Sequence, residues 1–150
     1  MRRHIGKALL AVGGLGLIGL GALHVSWAQG KTWPAKTSRE LSEHVTGSPE
    51  LPSPLACMVV ATPLLASGTS SLIQASTGLP DSVSARAVKA LPMIAGGALT
   101  ARGIVGGKIA CTVVGLPAPQ DEFMRLDTAI YRPLCLTLGL STIAGLILTK

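Results

Sequence analysis

A small set of polar and aromatic residues stands out in this largely apolar chain: His24, Trp27, Arg102, Asp127 and Tyr131. His24 and Trp27 are three positions apart, so they would share one helix face. Asp127 and Tyr131 are four apart and would share a face in the same way. A guanidinium binds anionic groups, an imidazole exchanges protons near neutral pH, and aromatic rings stack on ligands. We therefore define these residues as a candidate polar cluster.

The same residues also have a purely structural interpretation. An arginine at mid-membrane costs roughly 2.5 to 3.5 kcal/mol on insertion scales, so Arg102 needs a partner, and Asp127 would neutralise it while holding two spans in register. His24 has no second histidine three or four positions away, which argues against a metal pair. Nucleophile motifs, phosphate-cradling glycine loops and paired catalytic acids are missing. No catalytic residue, metal site or cofactor is predicted.

The composition indicates a membrane protein. Only 13% of the residues are charged, 48% are hydrophobic and the mean hydropathy is +0.52, whereas a soluble domain carries about 25% charged residues. The net charge of +6 is spread over termini and loops without a basic stripe, so nucleic acid is not an expected partner. The expected partners are the lipid bilayer and, beyond it, another membrane protein or a second copy of the chain.

The apolar runs predict an all-α integral membrane four-helix bundle with a single domain over residues 1–150. The predicted spans are residues 6–27, 54–74, 88–107 and 131–148. Ser53 can cap the second span and Pro54 can occupy its first position, while Pro63 inside it predicts a kink. Pro133 lies in the first turn of the last span. In the first loop, Thr37 followed by Glu40 predicts a capped surface helix.

The first apolar segment admits two interpretations. Its glycines would let another helix approach closely, with Gly14 and Gly21 two turns apart on one face. However, a basic start, an apolar middle and the sequence Ser26-Trp27-Ala28 also match the layout of a cleavable signal peptide. The residues alone leave both interpretations open.

Four spans place both termini on one side of the membrane and the first and third loops on the other. Apart from Arg102, the basic residues divide evenly between the two sides, with Arg132 counted on the side of the first and third loops, but the compact basic start favours cytoplasmic termini. All the aromatic residues fall on the side of the first and third loops, as an interfacial belt or as part of a site. Cys57, Cys111 and Cys135 form no metal motif and are expected to be free thiols, although a disulfide remains an alternative if that side is extracytoplasmic.

Several sequence elements together resemble the DUF3995 family of small bacterial four-span membrane proteins. They are LHVSWA (23–28), LPSPLA (51–56), TARGI (100–104) and RLDTAIYRPLCLTLGL (125–140). The resemblance implies that the first segment is retained as a span. It also implies that the family's characteristic positions are occupied here by His24, Trp27, Ser53, Pro54, Arg102, Asp127, Tyr131, Pro133 and Cys135. Gly106 and Gly107 depart from the family pattern, which is expected to have an acidic and an aromatic residue after the arginine.

The resemblance implies no activity, because the function of the family is unknown. The absence of a complete catalytic constellation favours a non-enzymatic accessory or structural protein of the cell membrane. The alternative is a binding or catalytic pocket for a lipid or another membrane-soluble small molecule, formed by the polar cluster.

Overall fold

A computed structural model describes residues 1–77 and 83–149 of the protein. Within these residues the chain is helical and contains no strand. Its elements are α1 (Arg2–Ala28), α2 (Ser38–Val45), α3 (Pro54–Ser76), α4 (Val83–Val113), α5 (Asp121–Leu126), a π-helical turn (Asp127–Tyr131) and α6 (Arg132–Leu148). Four stretches are long and apolar enough to cross a membrane: Arg2–Ala28, Pro54–Ser76, Arg86–Val113 and Asp121–Leu148. The prediction of an all-α membrane bundle is confirmed.

The four long helices are arranged in the cyclic order α1, α3, α4, α6, and glycines set the closeness of the α1–α3 and α1–α6 interfaces. On α1, a Cβ at Gly14 would lie 2.9 Å from Ser71 Cβ of α3, and Gly21 meets Leu65 of the same helix. A Cβ at Gly145 of α6 would lie 2.6 Å from the Leu10 backbone. Because these distances leave no room for a methyl group, the backbones approach closely, as the glycine pattern of the first span predicts.

Helices α3 and α4 are joined by serine hydroxyl groups next to a buried proline. Pro92 has no N–H, so the carbonyl of Val88 lacks its helical partner. Ser70 Oγ donates to that carbonyl at 2.8 Å, and Ser67 Oγ donates to the carbonyl of Leu91 at 3.2 Å. A neighbouring helix thereby satisfies a backbone group that lipid would leave unpaired.

The first and third loops meet over one end of the bundle. Thr37 Oγ1 accepts from the amide of Glu40 at 3.2 Å and begins α2, whose Leu41 is fully buried. The amide of Gln120 donates to the carbonyl of Gly47, and Cys111 Sγ donates to the carbonyl of Thr46 at 3.6 Å. The short helix α2 therefore packs over the bundle as a cap, rather than standing free in the loop.

The helix boundaries differ from the predicted spans at the third and fourth helices. α4 does not end at residue 107 but passes through a break at Gly106 and continues to Val113. The last helical stretch begins at Asp121, ten residues before the predicted start. Both differences have the same physical cause, because the polar groups exposed by the break are satisfied by side chains from the start of the last stretch.

Candidate functional site

The candidate site is built around the break in α4. Gly106 has φ 79° and ψ 169°, a conformation open in practice to glycine alone. The turn directs the amide of Gly107 away from the helix, where it donates to Asp127 Oδ2 at 2.7 Å. A Cβ at Gly107 would lie within 3 Å of both Phe123 and Asp127. The glycine pair thus creates the close approach between the α4 backbone and the Asp127 carboxylate.

Arg132 satisfies the carbonyls on the other side of the same break. Its Nε donates to the carbonyl of Gly103 and its Nη2 to that of Ile104, both at 2.9 Å. In an unbroken α-helix these carbonyls would accept from the amides of residues 107 and 108. Arg132 and Asp127 are therefore complementary caps, one for the freed carbonyls and one for the freed amide.

Arg102 and Asp127 form a direct ion pair. Arg102 Nη2 lies 2.5 Å from Asp127 Oδ1, and the aspartate side chain is only 1% exposed. Asp127 therefore uses one carboxylate oxygen for Arg102 and the other for Gly107. Arg102 Nη1 is buried and has no hydrogen-bond partner within residues 1–77 and 83–149. An unpaired buried donor is costly, so this end of the ion pair is not fully satisfied by the described residues.

The π-helical turn places Asp127 against α4. The amide of Arg132 donates to the carbonyl of Asp127, five residues back, and Pro133 follows with no amide to donate. The wider turn accommodates Pro133 at the start of α6, because the ring would clash with the carbonyl four residues earlier in a regular helix.

His24 and Trp27 lie together at the end of α1. His24 Nδ1 is 2.8 Å from the carbonyl of Leu20, so this nitrogen carries the proton and donates it. The centroids of the two rings are 4.9 Å apart, and Trp27 Nε1 donates to the carbonyl of Trp33 at 2.9 Å. The carbonyl contact fixes the histidine ring and leaves Nε2 without a hydrogen-bond partner in the described chain.

Tyr131 links the site to the cap formed by α2. Its hydroxyl donates to the carbonyl of His44 at 3.1 Å, and its ring centroid lies 6.1 Å from that of Phe123. Phe123 is 2% exposed, so the ring of Tyr131 packs against a buried ring.

A cavity of about 780 Å³ lies between the four long helices beneath this cap. His24 and Trp27 line it from α1, Arg102 from α4, and Tyr131 and Cys135 from the last stretch. The remaining wall is mostly apolar: Leu20, Leu23, Val45, Val59, Val60, Pro63, Leu64, Ser67, Leu91, Ile94, Ala95, Ala98, Leu99, Val114, Ile130 and Leu134. The volume lies within the range of about 300 to 1,000 Å³ of small-molecule sites.

The structure brings four of the residues in the predicted cluster to this wall, and Asp127 acts on it through Arg102. Sequence reasoning missed the role of Arg132, which it had counted as a loop charge, and the contribution of α3 to the wall. The pair Gly106-Gly107 was not a sufficient signal for the break, because the adjacent pairs Gly13-Gly14 and Gly96-Gly97 lie in regular helix.

The structure shows where the predicted capping residue and the prolines of the second span lie. Ser53 Oγ accepts from the amide of Ala56 at 3.2 Å, and Pro54 is the first residue of α3. Pro63 lies inside α3 and lines the cavity. The Thr62 hydroxyl donates to the carbonyl of Met58 at 2.9 Å. It therefore does not compensate the carbonyl of Val59, which Pro63 leaves without its helical partner.

Comparison with known proteins identifies a family for this chain. The model of the family described as "Protein of unknown function (DUF3995)" matches residues 17–142, which is most of the chain and includes every residue of the polar cluster. Searches of curated proteins and of solved structures found no significant match.

Proposed function

This protein belongs to the DUF3995 family, whose function is unknown, and from the geometry of its own residues we propose that it binds a membrane-soluble small molecule in the cavity. One observation carries the proposal. The mostly apolar cavity lies between four helices long enough to cross a membrane, and Arg102, His24 and Tyr131 meet in its wall. Convergent polar groups in an apolar pocket are the usual composition of a ligand site.

The location of the cavity supports a ligand that arrives from the bilayer. On the α3 side Val59 is 65% exposed, and on the α4 side Ile94 is 67% exposed. Both residues line the cavity, so its wall is continuous with the surface that faces hydrocarbon. The capping helix α2 covers one end of the cavity, where Val45 forms part of the wall. A lipid or lipid-like molecule can therefore enter sideways with its polar end toward Arg102.

A second candidate is a non-enzymatic accessory or structural protein. It is favoured by the capping of the α4 break, because Asp127 and Arg132 make contacts that stabilise the bundle whether or not a ligand binds. The size of the cavity favours the binding proposal over this one.

We further propose that the protein lies in the cell membrane with cytoplasmic termini. The basic start of α1, with Arg2, Arg3 and Lys7, supports this orientation. In it, the polar cluster and the α2 cap face the extracytoplasmic side.

Filling the cavity tests the binding proposal. Ala98 lines the cavity, so Ala98→Phe would reduce the space for a ligand. The matched control is Gly97→Phe, because a Cβ at Gly97 has no neighbour within 4 Å. Mass spectrometry of molecules co-purified with the wild type and Gly97→Phe should detect a bound amphiphile that Ala98→Phe lacks. Failure to find any such molecule on the wild type, or equal retention by Ala98→Phe, would contradict the proposal.

A further inference from the structure

The charged residues of this chain are distributed unevenly between the two ends of the bundle. The end that carries the termini is formed by the start of α1, the end of α3, the start of α4 and the end of α6. Within residues 1–77 and 83–149, every acidic residue lies in the first loop, in α2, in α5 or in the π-helical turn. The described charged side chains at the end with the termini are therefore all basic: Arg2, Arg3, Lys7, Arg86 and Lys89.

At the other end of the bundle, acidic residues offset most of the positive charge. Arg39 pairs with Glu43 at 2.8 Å, and Arg125 pairs with Glu122 at 2.6 Å. Glu40, Glu50 and Asp121 lie in the same loops and short helices. The net positive charge of the described chain is therefore located mainly at the end with the termini.

Contacts with α3 show that basic residues of α1 and α4 lie at the same level of the bundle. Lys7 Nζ donates to the carbonyl of Ser76, in the last turn of α3, at 3.2 Å. From the same part of α3, Ser70 Oγ donates to the carbonyl of Val88, two residues after Arg86. Because α3 contacts both α1 and α4, its last two turns place Lys7 and Arg86 at one end of the molecule.

These basic side chains are accessible at the depth of lipid head groups. Arg2, Arg3 and Arg86 are exposed, and Lys7 is half-buried. We define these four side chains as the basic surface. They lie at the beginnings of two helical stretches, Arg2–Ala28 and Arg86–Val113, that are long and apolar enough to cross a membrane. The beginning of such a stretch lies next to the phosphate groups of the bilayer.

We propose that the basic surface binds the head groups of anionic phospholipids in preference to zwitterionic ones. The described residues at this end supply no carboxylate, so lipid phosphates provide the opposite charge. A zwitterionic head group carries an ammonium group beside its phosphate and gains less from an excess of positive charge. The basic surface lies at the opposite end of the bundle from the α2 cap, so this inference does not depend on a ligand in the cavity.

Two phospholipids with the same acyl chains test the preference. Dioleoylphosphatidylglycerol is anionic, and dioleoylphosphatidylcholine is zwitterionic. The purified full-length protein would be titrated with each lipid in one detergent at one ionic strength, and bound lipid would be counted by native mass spectrometry. Phosphatidylglycerol is expected to bind about fivefold or more tightly. Fivefold corresponds to about 1 kcal/mol, which is the contribution of one basic residue near an anionic membrane surface.

Removing the exposed arginines tests whether the preference arises at the basic surface. The triple variant Arg2→Gln/Arg3→Gln/Arg86→Gln should reduce the preference for phosphatidylglycerol to about twofold or less. The variant Arg2→Lys/Arg3→Lys/Arg86→Lys keeps the three charges and should keep the wild-type preference. Equal binding of the two lipids by the wild type, or an unchanged preference in the glutamine variant, would overturn the inference.

The matched control removes three charges from exposed side chains at the other end, in Lys31→Gln/Lys36→Gln/Lys108→Gln. It should keep the preference, and a loss equal to that of the arginine variant would overturn the inference by showing a dependence on total charge alone. Ala98→Phe should also keep the preference. Its loss in Ala98→Phe would place the anionic lipid in the cavity, which would overturn this inference and support the proposed function.

Discussion

Asp127 is the residue on which the polar cluster depends, because its two carboxylate oxygens make two different bonds. Its carboxylate accepts from Arg102 with one oxygen and from the amide of Gly107 with the other. The sequence indicated the ion pair, since an intramembrane arginine needs an acid and Asp127 is well placed to supply it. It did not indicate the amide bond, because that bond depends on a local backbone conformation at Gly106 that residue types alone do not specify.

The two bonds give a prediction for substitutions at this residue. Asp127→Asn should lower the free energy of unfolding by about 3 to 5 kcal/mol, because it leaves the half-buried Arg102 charge without its counter-ion. The measurement is thermal or denaturant unfolding of the purified protein in detergent. Glu122→Gln is the matched control, since Glu122 and Arg125 form an exposed pair worth about 1 kcal/mol or less. Equal losses in the two variants would contradict the assigned role of Asp127.

Exchanging the two charges separates a simple ion pair from this arrangement. If Arg102 and Asp127 only neutralised each other, the double variant Arg102→Asp/Asp127→Arg would keep most of the stability. The structure leads to the opposite expectation, because an arginine at position 127 would direct donors at the Gly107 amide, which is itself a donor. We expect the exchanged variant to be no more stable than Asp127→Asn in the same unfolding measurement. Stability near the wild-type value would show that the amide bond is unimportant.

At the scale of the elements, the break in α4 divides a helix that continues beyond the third predicted span. The predicted span ends at residue 107, next to the break at Gly106. The chain instead becomes helical again up to Val113, because Arg132 and Asp127 from the last helical stretch satisfy the broken backbone. A sequence pattern within one segment does not contain this information, since the capping groups lie about 20 to 30 positions further along the chain.

Glycine substitutions in α4 test whether the break is a built feature of the helix. Gly106→Ala should destabilise the protein by about 1 to 3 kcal/mol, because alanine is strained at φ 79° and ψ 169°. Gly97→Ala, in the regular part of the same helix and with open space around it, should be neutral or stabilising by up to about 1 kcal/mol. The two variants would be compared by their unfolding midpoints. A destabilising effect at Gly97 as large as that at Gly106 would argue against a special conformation at Gly106.

At the scale of the whole molecule, long apolar runs specified the helices and glycine positions indicated where they approach closely. The cavity was less accessible to sequence reasoning, because its wall combines residues from α1, α3, α4 and the last stretch that are far apart in the chain. The polar cluster predicted one end of the cavity. Its apolar wall on α3 has no distinguishing residue type, since Val59 and Val60 look the same whether they face lipid or a chamber.

The orientation of the molecule is open to direct measurement with introduced thiols. Cys57 is 4% exposed and Cys111 is 5% exposed, so neither native thiol is a useful reporter. Cys135 lies on the cavity wall, and it can be replaced by alanine in the protein that carries the introduced thiols. Glu50 is exposed in the first loop, and Arg3 is exposed at the start of α1. The variants Glu50→Cys and Arg3→Cys therefore report on opposite ends of the bundle, and a membrane-impermeant maleimide applied to intact cells distinguishes them.

With cytoplasmic termini, Glu50→Cys should be labelled in intact cells and Arg3→Cys only after the membrane is opened. The reason is the positive-inside bias of the start of α1, where three basic residues precede the apolar run. The reverse pattern would place the cavity and its α2 cap on the cytoplasmic side, and the ligand would then be sought in the inner leaflet. Labelling of both positions in cells whose membrane is shown to be intact would contradict the single crossing, by α1, that separates them.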